Sequence, residues 1–138
     1  MIYPDTSVLV AIYVGEPNSG RVRNRLDADQ DELAVSGWLH AELASALAAN
    51  ERLGRISAER RRAALANFER QWLRGAAMLS ITLPIYRRAA GMIDQAAGLR
   101  SGDALHLATA EAHQATLVTL DRQQASLGQK LGVTTELL

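Results

Sequence analysis

The chain of 138 residues contains no cysteine, so disulfide bonds and thiolate metal sites are excluded. It carries no excess charge of either sign, because 15 basic residues balance 15 acidic ones, and net charge gives no indication of a partner. No apolar run approaches the roughly 20 residues of a membrane helix, and the first residues, MIYPDTSVLV, lack the basic region of a signal peptide. We therefore expect a cytoplasmic protein with no membrane partner.

Hydrophobic residues make up 48 % of the sequence, a share typical of a folded globular protein. The length suits one domain, which we expect to span residues 1–138. Short apolar segments alternate with longer segments of helical periodicity along the whole chain. This alternation predicts an α/β fold, a three-layer α/β/α sandwich with a central, mostly parallel sheet.

The predicted elements are bounded by glycine, proline and capping residues. Ser57 is predicted to cap one helix and Pro84 to open the next. The acidic stretch Asp27–Glu32 predicts a solvated loop. Strands are predicted at residues 1–3, 33–35, 78–83, 117–119 and 133–134, and helices at residues 8–14, 19–26, 38–52, 57–73, 84–95, 101–113 and 121–131.

Four acidic residues fall where an open α/β sheet binds its ligands, beyond the carboxyl ends of the strands. Asp5 and Asp121 each follow a predicted strand, Asp103 opens a helix, and Glu42 lies about one turn into another helix. We expect all four to reach one rim of the sheet. Crowded carboxylates repel one another, and a hard cation such as Mg²⁺ or Mn²⁺ relieves that repulsion. Such a site can activate water and neutralise charge on a phosphodiester.

Three of these acids also have purely structural explanations. Asp5 and Asp121 are favoured N-cap residues, and Gln124 completes a pattern like a capping box with Asp121. Asp103 could complement the positive end of its helix. Glu42 lies past the first turn and caps nothing, and a buried glutamate among alanines needs a partner.

Four segments in order resemble the successive motifs of PIN domains, and they span nearly the whole chain. Their sequences are YPDTSVL at Tyr3–Leu9, HAEL at His40–Leu43, LRSGDALHLAT at Leu99–Thr109 and VTLD at Val118–Asp121. Within that family, the sequence is similar to the VapC toxins of bacterial and archaeal toxin–antitoxin modules. No single motif is decisive, but four at these intervals are specific.

The resemblance implies a ribonuclease that uses Mg²⁺ or Mn²⁺, a homodimer, an RNA substrate and a cognate antitoxin protein. The acidic positions of the family are matched by Asp5, Glu42, Asp103 and Asp121. Small hydroxyl positions beside the acids are matched by Thr6, Ser7 and Thr119, although ordinary turn hydrogen bonding would explain them equally well. The sequence departs from the family at Ala41, where relatives often carry serine.

Other polar residues have less specific explanations. Arg60, Arg61 and Arg62 open a helix, where they form either a solvated face or contacts to RNA phosphates. His106 lies one turn beyond Asp103, and we expect it to pack or hydrogen bond within a buried helix rather than to react.

Two other functions remain open from the sequence alone. One is a PIN-like module that binds RNA or protein without cleaving. The other is a small magnesium-dependent phosphatase of the haloacid dehalogenase type, which would need a second aspartate where this chain has Ser7.

Overall fold

A computed structural model describes residues 1–28 and 31–138. The strands are β1 Ile2–Pro4, β2 Ala34–Ser36, β3 Ala77–Leu79, β4 Thr116–Thr119 and β5 Thr135–Leu137. The α-helices are α1 Thr6–Val10, α2 Ser19–Leu26, α3 Gly37–Arg52, α4 Ala58–Gln71, α5 Leu83–Gln95, α6 Ser101–Ala112 and α7 Arg122–Lys130, and a π-helical segment, Ala11–Gly15, extends α1. Within these described residues, no helix is both long and apolar enough to cross a membrane.

The strands form a parallel arrangement in the order β3, β2, β1, β4, β5. β1, β4 and β5 pair as one parallel ladder, and β2 pairs with β3 in another. An isolated parallel bridge between Ile2 and Leu33 joins the two ladders. All carboxyl ends therefore point the same way, so residues that follow different strands can meet at one edge.

Both faces of this sheet are covered, which explains why its central strands have no polar alternation. Ile2 and Val118 pack with Val8 and Val22 against α1 and α2 on one face. Tyr3 and Leu117 belong to the larger core on the other face, which α3, α4, α5 and α6 cover. The expected three-layer α/β/α organisation with a parallel sheet is confirmed.

Most predicted elements are present, with differences at their ends. The strand predicted at residues 78–83 ends at Leu79, because Thr82 caps α5 and the chain must leave the sheet before it. The edge strand begins at Thr135 rather than Val133, since Val133 is buried in the core. Part of the loop predicted across Asp27–Glu32, residues 29–30, lies outside the described residues.

Candidate active site

A pocket of about 430 Å³ lies at the carboxyl edge of the parallel strands. β1 and β4 deliver Asp5 and Asp121 to it, while α3 contributes Glu42 and the start of α6 contributes Asp103. The four acids predicted from the sequence therefore line one pocket. Other lining residues are Thr6, Ser7, Ser45, Ala46, Ala49, Arg100, Gly102 and His106.

Asp5 is the most deeply buried of the acids, with 4 % of its surface exposed. Its Oδ1 accepts hydrogen bonds from Ser7 Oγ at 2.5 Å and from the Val8 amide at 3.2 Å, which makes Asp5 the N-cap of α1. Its Oδ2 accepts from Thr119 Oγ1 at 2.6 Å. Burial raises the pKa of Asp5, although the nearby His106 and these hydrogen bonds oppose the rise. A cation at this carboxylate would therefore stabilise its ionised form.

Glu42 is half-buried and engaged on one oxygen by two donors. Thr6 Oγ1 donates to its Oε2 at 2.5 Å, and His106 Nε2 lies 2.7 Å from the same oxygen. Burial alone would raise the pKa of Glu42, but the contacts with His106 and Thr6 outweigh it, so its pKa is lowered. Glu42 is therefore held as a carboxylate, and its second oxygen, Oε1, lies beside Gly102.

A chain of buried hydrogen bonds fixes the imidazole that contacts Glu42. His106 Nδ1 lies 2.8 Å from Tyr3 Oη, which in turn lies 2.7 Å from Ser36 Oγ. If Tyr3 donates to Nδ1, then Nε2 carries the proton and donates it to the Glu42 carboxylate. Both imidazole nitrogens are then used, and His106 orients Glu42.

Arg100 bridges the two remaining acids at the mouth of the pocket. Its Nε donates to Asp103 Oδ2 at 2.7 Å, and its Nη2 donates to Asp121 Oδ2 at 2.9 Å. Asp121 Oδ1 meanwhile accepts from the amides of Gln123 and Gln124, so Asp121 is the N-cap of α7. One oxygen of Asp121 thus serves the helix and the other faces the pocket.

Comparisons with known proteins agree with this arrangement. The family model described as "PIN domain" matches residues 2–130. The chain belongs to the PIN domain family. No curated protein matches its sequence.

Solved structures share the fold of this PIN domain at low sequence identity. VapC20 of Mycobacterium tuberculosis is 17 % identical, with a TM-score of 0.74 over 93 % of this chain and 95 % of that one. VapBC2 of Rickettsia felis, bound to a promoter DNA fragment, is 21 % identical, with a TM-score of 0.72 over 100 % and 99 %. FitAcB of Neisseria gonorrhoeae is 20 % identical, with a TM-score of 0.69 over 98 % and 96 %.

The predicted supporting residues of the PIN domain divide into two groups. The hydroxyls of Thr6, Ser7 and Thr119 all donate to a carboxylate of the pocket. The arginines at the start of α4 lie elsewhere: Arg60 lines a second cavity and donates to the Tyr13 carbonyl, and Arg61 pairs with Glu51. Arg62 is exposed at the same helix start.

Sequence reasoning assigned no role in the site to Arg100, Tyr3 or Ser36. Arg100 stands three residues before Asp103, a spacing that permits an ion pair on one helix face, and this was the available signal. Tyr3 and Ser36 act through contacts with residues distant in sequence, which no local pattern indicates.

The oxygen ligands of the pocket fit a hard divalent cation. Within residues 1–28 and 31–138, however, no group of three or more acidic or histidine side chains is arranged to hold a metal ion. The carboxylates are engaged instead by Arg100 and His106. Asp103 and Asp121 keep 20 % and 31 % of their side-chain surface exposed, so both carboxylates are accessible to an ion from solvent.

Gly102 leaves the space that the Glu42 carboxylate occupies. A Cβ atom at this position would lie 2.5 Å from Glu42 Oε1, which is too close for any normal contact. The clash falls on the mobile end of a side chain, so Glu42 can retreat without moving backbone. Gly102→Ala should therefore displace the carboxylate from the pocket with little loss of stability.

If the pocket binds a divalent cation, Gly102→Ala should lower its affinity for Mn²⁺ about tenfold or more, because loss of ligand orientation commonly has this effect. The melting temperature of the variant should change little, because the helix preference of alanine offsets the strain placed on the hydrogen bonds of Glu42 with Thr6 and His106. Gly20→Ala is the matched control, since Gly20 lies in α2 and a Cβ there would meet nothing within 4 Å. Equal metal affinity in both variants would show that Gly102 does not position Glu42.

Proposed function

We propose that this PIN domain, spanning residues 1–138, is a metal-dependent endoribonuclease that hydrolyses RNA phosphodiesters and serves as the toxin of a toxin–antitoxin pair. One observation carries the proposal: four carboxylates from separate elements line a single pocket at the carboxyl edge of the sheet. Helix capping accounts for Asp5 and Asp121, but it does not account for Glu42, which lies past the first turn of α3 and caps nothing.

Mg²⁺ or Mn²⁺ would be held by Asp5, Glu42, Asp103 and Asp121. When bound, such a cation supplies an activated water and neutralises charge on the phosphodiester. The protein contributes carboxylates that are oriented by hydrogen bonds and ion pairs for this purpose. Thr6 donates a hydrogen bond to Oε2 of Glu42, and Ser7 donates one to Oδ1 of Asp5. Neither hydroxyl bonds to the second oxygen of its carboxylate.

The relatives support RNA as the substrate and an antitoxin as the partner. VapC20 is described as a toxin that cleaves the sarcin–ricin loop, and VapBC2 was crystallised with promoter DNA. We propose a cognate antitoxin for this chain on that basis, and a cytoplasmic location because its RNA substrate is found there. An acidic pocket suits an inhibitory peptide that inserts an arginine, because arginine pairs with carboxylates through two hydrogen bonds.

A homodimer is also part of the proposal. Large apolar side chains are exposed along α5 and just before it, including Leu83 at 60 % and Tyr86 at 51 %. Such a surface suits contact with a second copy of the chain, which light scattering on the purified protein would detect.

Cleavage should depend strictly on a divalent cation. Purified protein stripped with a chelator is expected to leave labelled RNA intact, and added Mg²⁺ or Mn²⁺ should restore cleavage. A phosphate monoester incubated in parallel should not be hydrolysed. Cleavage at full rate in the chelator would rule out the metal site, and monoester hydrolysis would favour a phosphatase. Metal binding without any cleavage of RNA would favour a non-catalytic module.

A further inference from the structure

The pocket lined by Asp5, Glu42, Asp103 and Asp121 is called the acid pocket below. Among the described residues that line it, Arg100 is the only arginine or lysine. Its hydrogen-bond partners in the described part of the chain are carboxylates: Nε donates to Asp103 at 2.7 Å, and Nη2 donates to Asp103 at 3.3 Å and to Asp121 at 2.9 Å. The side chain is nevertheless 72 % exposed, so its charged end lies at the mouth of the pocket, facing solvent.

The ion pairs of Arg100 with Asp103 and Asp121 can be replaced by other contacts at low cost. Ion pairs exposed to water are weak because solvent screens them and because holding a long side chain costs entropy. Asp103 and Asp121 repel each other, and in the absence of another cation the guanidinium relieves that repulsion. A divalent cation bound by the same carboxylates would relieve it more strongly and would remove the reason for Arg100 to remain there.

We propose that Arg100 binds a backbone phosphate of the RNA. Until Asp103 and Asp121 bind the metal, they hold the Arg100 side chain in an ion pair. The inference rests on the proposed function and names a substrate contact for it. A guanidinium forms paired hydrogen bonds with phosphate as readily as with carboxylate, so the released side chain is suited to this anion.

The other candidates for phosphate contact are less suited. Arg60 donates to the Tyr13 carbonyl and lies in a different cavity, while Arg61 is paired with Glu51. Neither side chain lines the acid pocket. A phosphate placed beside the four carboxylates would therefore meet Arg100 first.

The first test is metal affinity, measured by titration calorimetry with Mn²⁺ on protein freed of metal. Arg100→Gln removes the competitor for Asp103 and Asp121, so Mn²⁺ should bind about three- to tenfold more tightly than to wild type. Arg122→Gln is the matched control. Arg122 is exposed, directly follows Asp121, and forms no ion pair with the residues that the structure describes, so its loss should change affinity less than about twofold.

The second test is RNA binding in the presence of Mn²⁺, with all four acids kept and with a labelled single-stranded RNA of mixed sequence whose phosphorothioate linkages resist hydrolysis. Arg100→Gln should weaken binding of this RNA about five- to tenfold relative to wild type. The dependence of affinity on salt concentration should become shallower by the amount expected for the loss of about one phosphate contact. Arg122→Gln should have a smaller effect on both quantities.

The outcomes separate this inference from the proposed function. Equal Mn²⁺ affinity in wild type and Arg100→Gln would overturn the competition, and equal loss of RNA binding in both arginine variants would overturn the specific phosphate contact. Either result leaves the ribonuclease proposal standing. Absence of Mn²⁺ binding in every variant would overturn both. Circular dichroism should show all variants folded, because Arg100 is largely exposed.

Discussion

Replacement of Asp5 by asparagine is expected to abolish RNA cleavage, lowering the rate by about a thousandfold or more. Asp5 is the acid at the end of β1, and its carboxylate lies deepest in the pocket. Asparagine has nearly the same shape but no charge, so it cannot hold a cation as a carboxylate does. Cleavage of labelled RNA by equal amounts of folded wild type and variant measures the effect.

The same variant should be at least as stable as wild type when no metal is present. Burial raises the pKa of Asp5, which means that folding disfavours its ionised form. Ionisation of Asp5 therefore lowers the free energy of unfolding, which falls as pH rises from the ordinary pKa of a carboxyl group through the raised pKa of Asp5. Asparagine removes this penalty while its amide oxygen can still accept from Val8, so we expect a melting temperature that is level or about 2–5 °C higher near neutral pH.

Added Mg²⁺ should reverse the order of stability. The cation binds the folded wild type and stabilises it by mass action, whereas the variant lacks one ligand and gains less. Asp94→Asn on α5 is the matched control, because Asp94 is exposed and lies outside the pocket. Near wild-type cleavage by Asp5→Asn would exclude a role as metal ligand. Unfolding of the variant would show instead that the cap of α1 is its main contribution.

The sequence presented the cap and ligand roles of Asp5 and Asp121 as alternatives, but the cap role that the structure shows is compatible with the proposed ligand role. Asp121 Oδ1 caps α7 while its Oδ2 faces the pocket. A helix that starts directly after a strand places its N-cap at the carboxyl edge of the sheet, which is also where ligands bind. Capping residues at this edge are therefore candidate site residues by position.

The fold and the four acids were predictable because both depend on local order along the chain. Strand ends and helix starts follow from apolar periodicity and from caps, and the topology of a parallel sheet then brings them together. The partners of those acids were not predictable in this way. Tyr3 and His106 are 103 residues apart, and their contact depends on how α6 packs against β1. The π-helical segment after α1 likewise has no signal in the apolar pattern.

The hydrogen-bonded chain from Ser36 through Tyr3 and His106 to Glu42 should be the part of the site whose substitution lowers stability most. His106 is 2 % exposed, so His106→Ala opens a cavity and leaves the Tyr3 hydroxyl without one of its partners. We expect a loss of about 2–4 kcal/mol in the free energy of unfolding. Metal affinity and cleavage should also fall about tenfold to a hundredfold, because Glu42 loses the donor that orients it.

Two further variants separate orientation of Glu42 from packing. Tyr3→Phe keeps the aromatic ring but removes the hydroxyl, so it should cost about 1–3 kcal/mol while leaving the contact between His106 and Glu42 in place. His106→Gln retains a side-chain donor and should recover part of the metal affinity that His106→Ala loses, even if stability stays low.

The matched control is His113→Ala at the end of the same helix, where the imidazole hydrogen bonds only with the Ser80 carbonyl among the described residues. It should change stability by less than about 1 kcal/mol and leave Mn²⁺ affinity unchanged. Urea unfolding and Mn²⁺ titration on each variant provide the two readouts. If His106→Ala loses stability but binds Mn²⁺ as wild type does, then the imidazole only fills space, and Thr6 alone is sufficient to hold Glu42 in position.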